Sequence, residues 1–178
     1  MSENKRPYKI VASESYRIGR FQIIKDTIEI DGNRYPYTYI AQGRSVCILA
    51  VYDGCVVAIE QYRHTLNQWM LELPCGGIDE NETSEEAARR ELMEETGYVA
   101  GDLIPLGSYY TNQGVSSAEC DIYFTKCVRR GAPRNEATEL IHVLPVPLEE
   151  WDRMIYSNRF QLLIGLAAWN RAKWAGLL

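Results

Sequence analysis

Residues 83–97 constrain the fold more than any other segment, because they carry the signals for both ends of a helix. Thr83, followed three residues later by Glu86, forms a capping box, so the helix is predicted to begin at Thr83 or Ser84. Gly97 is placed to end the helix in the left-handed conformation. The small and apolar residues between these ends predict an inward-packing face, and they are Ala87, Ala88, Leu92 and Met93.

The opposite face of this helix is acidic. Glu91, Glu94 and Glu95 stand at positions i, i+3 and i+4, which fall on one side of a helix. Like charges at that spacing repel each other, so the face opposes helix formation unless a cation lies among the oxygens. Carboxylate oxygens suit Mg²⁺ or Mn²⁺, and such sites usually serve phosphate chemistry. We therefore predict a divalent-metal site; the alternative is a solvated acidic face, which the additional upstream acids disfavour.

Residues 76–98 resemble the Nudix box, which reads glycine, five residues, glutamate, seven residues, then Arg-Glu-aliphatic-any-Glu-Glu-any-Gly-aliphatic. The matching positions are Gly76, Glu82, Arg90, Glu91, Leu92, Glu94, Glu95 and Gly97. Tyr98 replaces the usual final aliphatic residue, which is a packing position without a chemical role. So many fixed positions in a short span make the resemblance highly specific.

The resemblance implies a role for each box residue. Glu91 and Glu95 are expected to bind Mg²⁺, which also makes Glu95 catalytic, and Glu94 is expected to assist directly or through water. Cys75, just before the first box glycine, is expected to offer its backbone carbonyl to a metal. Glu82 and Arg90 are expected to pair and hold the loop on the helix. The structural positions of the motif are Gly76, Glu82, Arg90 and Gly97.

Sequence outside the box resembles the ADP-ribose pyrophosphatase branch of this family. The matching segments are residues 60–63, 72–79 and 110–114, although Gln113 stands where the branch commonly has proline. In this branch a later glutamate orients or deprotonates the attacking water. Glu139 matches that position and is the predicted catalytic base, with Glu136 as the nearby alternative.

Candidates for substrate binding follow from the same resemblance. Arg63 matches a substrate-contacting arginine, and a guanidinium fork fits phosphate oxygens; Arg44 is a second candidate. Branch members use N-terminal aromatics to sandwich the base, often across a dimer, so Phe21 and Tyr39 are candidates for stacking. Glu119 is a candidate for contact with a third metal or the ribose. Each candidate also has an alternative without a role in binding. The arginines would be surface residues, Tyr39 would belong to a packed surface, and Glu119 would be a solvated acid.

The expected activity is Mg²⁺-dependent hydrolysis of the pyrophosphate of a nucleoside diphosphate sugar. ADP-ribose is favoured, giving AMP and ribose 5-phosphate, and the alternatives are GDP-mannose, NADH or FAD. A second class of function is a non-catalytic Nudix-fold sensor, but such sensors typically lose box acids, which this chain keeps. A cysteine nucleophile at Cys75 is disfavoured because no basic partner is indicated.

Composition bounds the remaining possibilities. The 178 residues carry a net charge of −5, which argues against a nucleic-acid-binding or membrane-binding surface. Five scattered cysteines suggest neither a zinc site nor a disulfide framework. No signal peptide or apolar span is evident, so a cytoplasmic location is expected. We predict a single domain over residues 1–178, with N-terminal strands in residues 1–43 that form a homodimer.

The secondary structure suggested by the sequence is mixed α/β. Hairpins are predicted around Asp31-Gly32 and Asp53-Gly54, with the strand that contains Pro36 at a sheet edge or bulged. Further strands are predicted over residues 69–73 and 121–128, and helices over 148–156 and 160–174. The resemblance implies an α/β/α sandwich with a mixed β-sheet.

Overall fold

A computed structural model describes residues 6–134 and 140–178. These residues form ten strands and three helices. The strands are β1 (Lys9–Ile18), β2 (Phe21–Ile30), β3 (Asn33–Ala41), β4 (Arg44–Tyr52), β5 (Cys55–Arg63), β6 (Gln68–Glu72), β7 (Cys75–Gly77), β8 (Tyr98–Tyr110), β9 (Glu119–Arg130) and β10 (Ile141–Pro147). The helices are α1 (Ser84–Thr96), α2 (Leu148–Tyr156) and α3 (Leu163–Trp174).

The chain divides into two compact units. The first contains residues 1–43 and 112–118, and the second contains residues 44–111 and 119–178. The expectation of a single domain stays a prediction. In the described part of the chain, no helix is both long enough and apolar enough to cross a membrane.

The first unit is built on an antiparallel sheet in the order β1-β2-β3. The hairpin predicted at Asp31-Gly32 is confirmed, and both residues have positive φ, of 50° and 80°. β3 lies at the edge of this sheet, as predicted from Pro36. Residues 112–118 join the unit through backbone hydrogen bonds from Ile40 to Val115 and from Ser117 back to Ile40.

The second unit contains a mixed sheet in the order β10-β5-β4-β9-β8, with β6 paired to β5 and β7 paired to β4. β4 and β9 run parallel, and the other pairs are antiparallel. The tight turn at Asp53-Gly54 joins β4 to β5, as predicted, with φ of 47° and 73°.

Alternate residues of β4 pack against helices on opposite faces of this sheet. Val46, Ile48 and Ala50 share a core cluster with the buried apolar residues of α1. Cys47 and Leu49 belong to a second cluster, which contains Trp151 of α2 and Trp169 of α3. A strand whose successive side chains point to opposite faces can be buried on both. The α/β/α sandwich with a mixed sheet is therefore confirmed.

The helix boundaries follow the sequence signals closely, with one exception. Thr83 caps α1 in a reciprocal capping box with Glu86, and Gly97 ends α1 with a φ of 76°. α2 spans the predicted residues 148–156. The prediction that α3 begins at residue 160 was wrong, because the helix begins at Leu163. Phe160 lies before the helix, and its buried ring packs against Trp151 with the ring centroids 4.6 Å apart.

Candidate active site

The loop that precedes α1 is fixed on β4. Its short strand β7 pairs with the first half of β4, where Cys75 lies opposite Cys47. Backbone hydrogen bonds extend this pairing at both ends: Ile48 N–H donates to the Pro74 carbonyl at 2.9 Å, and Ile78 N–H donates to the Arg44 carbonyl at 3.1 Å. These bonds fix residues 74–78 of the loop on β4.

Gly76 leaves room for the carboxylate of Glu91. A Cβ atom built on Gly76 would lie 2.0 Å from Cδ of Glu91, far inside any van der Waals contact. The Glu91 side chain of α1 thus lies directly against the loop backbone. This contact explains why the motif requires glycine at this position.

Glu95 is the most deeply buried of the three acids. It is 3% exposed, and its carboxylate accepts a hydrogen bond from the Cys75 backbone N–H at 3.0 Å. Glu91 and Glu95 therefore both meet the loop at Cys75 and Gly76, from successive turns of α1.

Arg90 connects the loop, the helix and two of the acids, and it uses all five of its N–H donors. Two donors bind Glu82, one binds the Gly77 carbonyl, and the two on Nη1 bind Glu91 and Glu94 at 2.7 and 3.2 Å. The hydrogen bond with Glu82 contributes most to raising the pKa of Arg90, and Arg90 in turn lowers the pKa of Glu82. The pair implied by the resemblance is present in the structure.

The donor set fits a hard divalent cation. Glu91 and Glu94 contact the Arg90 guanidinium, Glu95 accepts a hydrogen bond from the Cys75 N–H, and the preferred ligands of such a cation are oxygens. Over residues 6–134 and 140–178, no three His, Cys, Asp or Glu side chains are already arranged to hold an ion. In this conformation the Arg90 guanidinium provides the positive charge next to Glu91 and Glu94.

Arg63 is held by Glu72, a buried acid that lies in one of the matching segments but for which no role was predicted. Its Nε and Nη2 atoms donate to the two carboxylate oxygens of Glu72 at 2.7 and 2.5 Å, and Glu72 is 4% exposed. The hydrogen bond to Glu72 raises the pKa of Arg63, with the Glu95 charge as a smaller contribution. This side-on pair leaves the Nη1 edge of the guanidinium outside the Glu72 contact.

Arg44 and Glu119, predicted separately, lie together. Arg44 Nε is 3.6 Å from a Glu119 oxygen, and Arg44 Nη2 is 2.5 Å from Asp121. Asp121 was also missed, because an isolated aspartate within a strand gives no sequence signal of burial.

The aromatic candidates belong to the first unit. The Phe21 ring is exposed, with the Arg20 guanidinium 5.1 Å from its centroid. Tyr39 lines a cavity of about 180 Å³ together with Tyr37 and the buried Asp26. Glu139 and Glu136, the candidates for the catalytic base, lie outside the described residues.

The departure from the box at Tyr98 has a packing explanation. Tyr98 is buried, and its ring meets that of Tyr52 edge-on with the ring centroids 5.3 Å apart, so the departure from an aliphatic residue is accommodated in the core.

The Cys75 thiol has a raised pKa, caused first by a hydrogen bond with Cys47 and then by burial. It stays protonated, which argues against a nucleophilic role.

The sequence model of the NUDIX domain matches residues 41–162, so the chain belongs to the Nudix family and is a Nudix hydrolase. Nudix hydrolases generally use divalent metal ions.

Relatives and a solved structure give the family context. The ADP-ribose pyrophosphatase of Bacillus subtilis (strain 168) is 27% identical over 155 residues, covering 84% of each chain. The methanol dehydrogenase activator of Bacillus methanolicus is 26% identical over 149 residues, which are 82% of this chain and 80% of that protein. A crystal structure of an ADP compounds hydrolase is 22% identical with a TM-score of 0.84, covering 97% of this chain and 95% of that one, and it supports the fold.

Proposed function

We propose that this protein hydrolyses the pyrophosphate bond of a nucleoside diphosphate sugar in a Mg²⁺-dependent reaction, with ADP-ribose as the favoured substrate. The observation that carries this proposal is the meeting of Glu91 and Glu95 with the loop at Cys75 and Gly76. The similarity to an ADP-ribose pyrophosphatase over most of the chain supports the choice of substrate.

The metal ligands in this proposal are Glu91, Glu94, Glu95 and the backbone carbonyl of Cys75. The ion would neutralise charge on the diphosphate oxygens and lower the pKa of a water molecule. Arg63 binds a phosphate oxygen through the edge of its guanidinium that Glu72 leaves open, because the Glu72 pair fixes the direction of the fork. Glu82 and Arg90 keep the loop on the helix.

The reaction requires one water molecule per substrate. The water oxygen forms a bond to one phosphorus while the bridging P–O bond of the diphosphate breaks. Glu139 takes the proton of the attacking water, with Glu136 as the alternative base. With ADP-ribose the products are AMP and ribose 5-phosphate. Stacking of the base is assigned to Tyr39 and Phe21, and further substrate contacts are assigned to Arg44 and Glu119.

A homodimer formed through the first unit is part of the proposal. All ten residues of β1 are exposed, including the apolar side chains of Ile10, Tyr16 and Ile18. A second copy would cover this surface. Size-exclusion chromatography with light scattering is expected to give twice the mass of the chain, and Ile18→Lys is expected to weaken the dimer. A monomer at tens of micromolar protein would contradict this part.

The substrate is tested with a panel of ADP-ribose, GDP-mannose, NADH and FAD, assayed with Mg²⁺, with Mn²⁺ and with a chelator. We expect the highest kcat/KM for ADP-ribose, release of AMP, and loss of the reaction with the chelator. A clear preference for another member of the panel would overturn the assignment of ADP-ribose while leaving the hydrolase in place.

A further inference from the structure

Asp121 is a buried acid outside the Nudix box that joins three parts of the second unit. It lies on β9, is 6% exposed, and accepts three side-chain hydrogen bonds. The donors are Arg44 Nη2 at 2.5 Å, Ser84 Oγ at 2.6 Å and Ser108 Oγ at 2.5 Å. These donors belong to β4, α1 and β8 respectively.

Asp121 is held as an anion in this environment. Burial is the largest influence on its pKa and raises it, but the hydrogen bonds from Ser108, Ser84 and Arg44 together outweigh burial and lower the pKa. Hydrogen bonds to an ionised acceptor are shorter and stronger than those between neutral groups. A carboxylate next to the first turn of a helix is also favoured by the helix dipole.

The bond to Ser84 fixes the N-terminal end of the helix that carries the catalytic acids. Ser84 is the first residue of α1, and its hydroxyl also accepts a hydrogen bond from the Tyr123 hydroxyl at 3.1 Å. Both Asp121 and Tyr123 lie on β9. The first turn of α1 is therefore attached by side chains to a central strand of the sheet.

The other end of α1 is held by backbone contacts. Gly131 N–H donates to the Gly97 carbonyl, and Arg134 N–H donates to the Glu94 carbonyl, both at 2.7 Å. A helix rises about 1.5 Å per residue, so Glu91 and Glu95 lie roughly 10–17 Å along the axis from Ser84. Because the C-terminal end of α1 is held, release of the Ser84 end would pivot the helix about its last turn, so Glu91 would shift against the loop more than Glu95.

We propose that Asp121 is a positioning residue that, through Ser84, sets the orientation of α1 and thereby the placement of Glu91 and Glu95. The expected change in the Mg²⁺ requirement rests on the proposed function. The expected change in amide exchange of α1 does not. The three donors to Asp121 provide an internal comparison, because Ser84 and Ser108 make equivalent bonds to the same carboxylate but only Ser84 belongs to α1.

The test compares Ser84→Ala with Ser108→Ala, and uses Ser84→Thr as the conservative variant that keeps a hydroxyl. The first measurement is amide hydrogen exchange over the first two turns of α1 in metal-free protein. The second is the Mg²⁺ concentration that gives half-maximal hydrolysis of ADP-ribose. Melting temperatures report the global effect of losing a hydroxyl, which makes two hydrogen bonds at Ser84 and one at Ser108.

Ser84→Ala is expected to speed exchange in α1 on the order of ten-fold and to raise the Mg²⁺ requirement by a similar factor, since small misplacements of catalytic groups are costly. Ser108→Ala is expected to lower the melting temperature less, since it removes one hydrogen bond and not two, and to change the exchange of α1 and the Mg²⁺ requirement by less than about two-fold. Ser84→Thr keeps the hydroxyl, so the amide exchange of α1 and the Mg²⁺ requirement are expected to stay close to those of the wild type.

Equal effects of Ser84→Ala and Ser108→Ala on exchange and on the Mg²⁺ requirement would overturn the positioning role. Failure of the proposed function gives a different result, in which no variant, including the wild type, hydrolyses the substrate. In that case amide exchange still tests whether Ser84 attaches α1 to β9, because this measurement uses neither metal nor substrate.

Discussion

At the scale of single residues, the contact between Gly76 and Glu91 is the most restrictive feature of the site. Ala at position 76 would place a methyl group 2.0 Å from Cδ of Glu91. Either the carboxylate or the loop must then move. We expect Gly76→Ala to reduce kcat/KM on the order of 10–100-fold, because a ligand carboxylate is displaced.

Gly77→Ala is the matched control for this prediction. A Cβ atom on Gly77 meets nothing within 4 Å, and the residue has no positive φ, so the neighbouring glycine tolerates alanine. Steady-state kinetics of the two variants check the contrast. Equal losses in both would show that loop flexibility, and not the space needed by Glu91, explains the glycine.

Glu82 gives a residue-scale prediction about pH. Its hydrogen bond with Arg90 lowers its pKa below the ordinary value of 4.5, so the folded state favours the charged form. The resulting stabilisation is present at neutral pH and is lost as the pH falls below that value. We expect Glu82→Gln to unfold with a free energy lower by about 1 kcal/mol at pH 7, near the upper end for a surface ion pair.

This difference between wild type and Glu82→Gln should shrink as the pH falls from 5 to 3 in urea unfolding experiments. Below the folded pKa, the wild-type carboxyl is neutral like the amide. A difference that stays constant across this range would mean that the loss comes from packing and not from the charge.

The sequence predicted the roles of residues that act on near neighbours, and it missed residues whose partners are distant in the chain. Thr83 and Gly97 act through their own backbone and their near neighbours, so their roles as the ends of α1 are visible in sequence. Asp121 bonds to Ser84 and Arg44, which are 37 and 77 residues away. Such a network exists only after the fold forms, and nothing in the sequence around Asp121 marks it.

At the scale of whole elements, β8 shows why a strand was missed. This strand contains Gly101, Pro105 and Gly107, which interrupt the alternation expected of a strand. The structure accommodates them with register shifts against β9 at three places. The β2–β3 and β4–β5 hairpins were predicted correctly because their turns carry Asp-Gly.

The packing of α3 on the core depends on Gly165. A Cβ atom there would lie 2.4 Å from Cζ of the buried Phe160 ring. Helix propensity alone favours alanine by about 1 kcal/mol, but overpacking a core costs ~1–3 kcal/mol. We expect the packing cost to exceed the propensity gain, so Gly165→Ala should lower the free energy of unfolding by up to about 2 kcal/mol.

Phe160→Leu tests this reason for the loss. The smaller side chain makes room for the new methyl group, so the double variant should be more stable than the sum of the two single effects predicts. Additive effects in denaturant unfolding would show that the contact between residues 160 and 165 does not control the stability of α3.

At the scale of the whole molecule, the Nudix family and the α/β/α fold predicted from the sequence are confirmed, and the roles of the site residues are proposed. The Nudix model covers residues 41–162, and the α/β/α sandwich of the second unit follows from strands that are buried on both faces. The resemblance identified the acids of α1, but the residues that hold this helix and Arg63 in place came only from the structure.

The central claim is that the acids of α1 bind a divalent cation against a diphosphate. Turnover of ADP-ribose as a function of Mg²⁺, by the wild type and by Glu95→Gln, tests it most directly. Glutamine keeps an oxygen to accept the hydrogen bond from Cys75 N–H, so the melting temperature should change little, whereas Mg²⁺-dependent turnover should fall at least ~100-fold. Turnover by Glu95→Gln equal to that of the wild type at low Mg²⁺ would contradict the account.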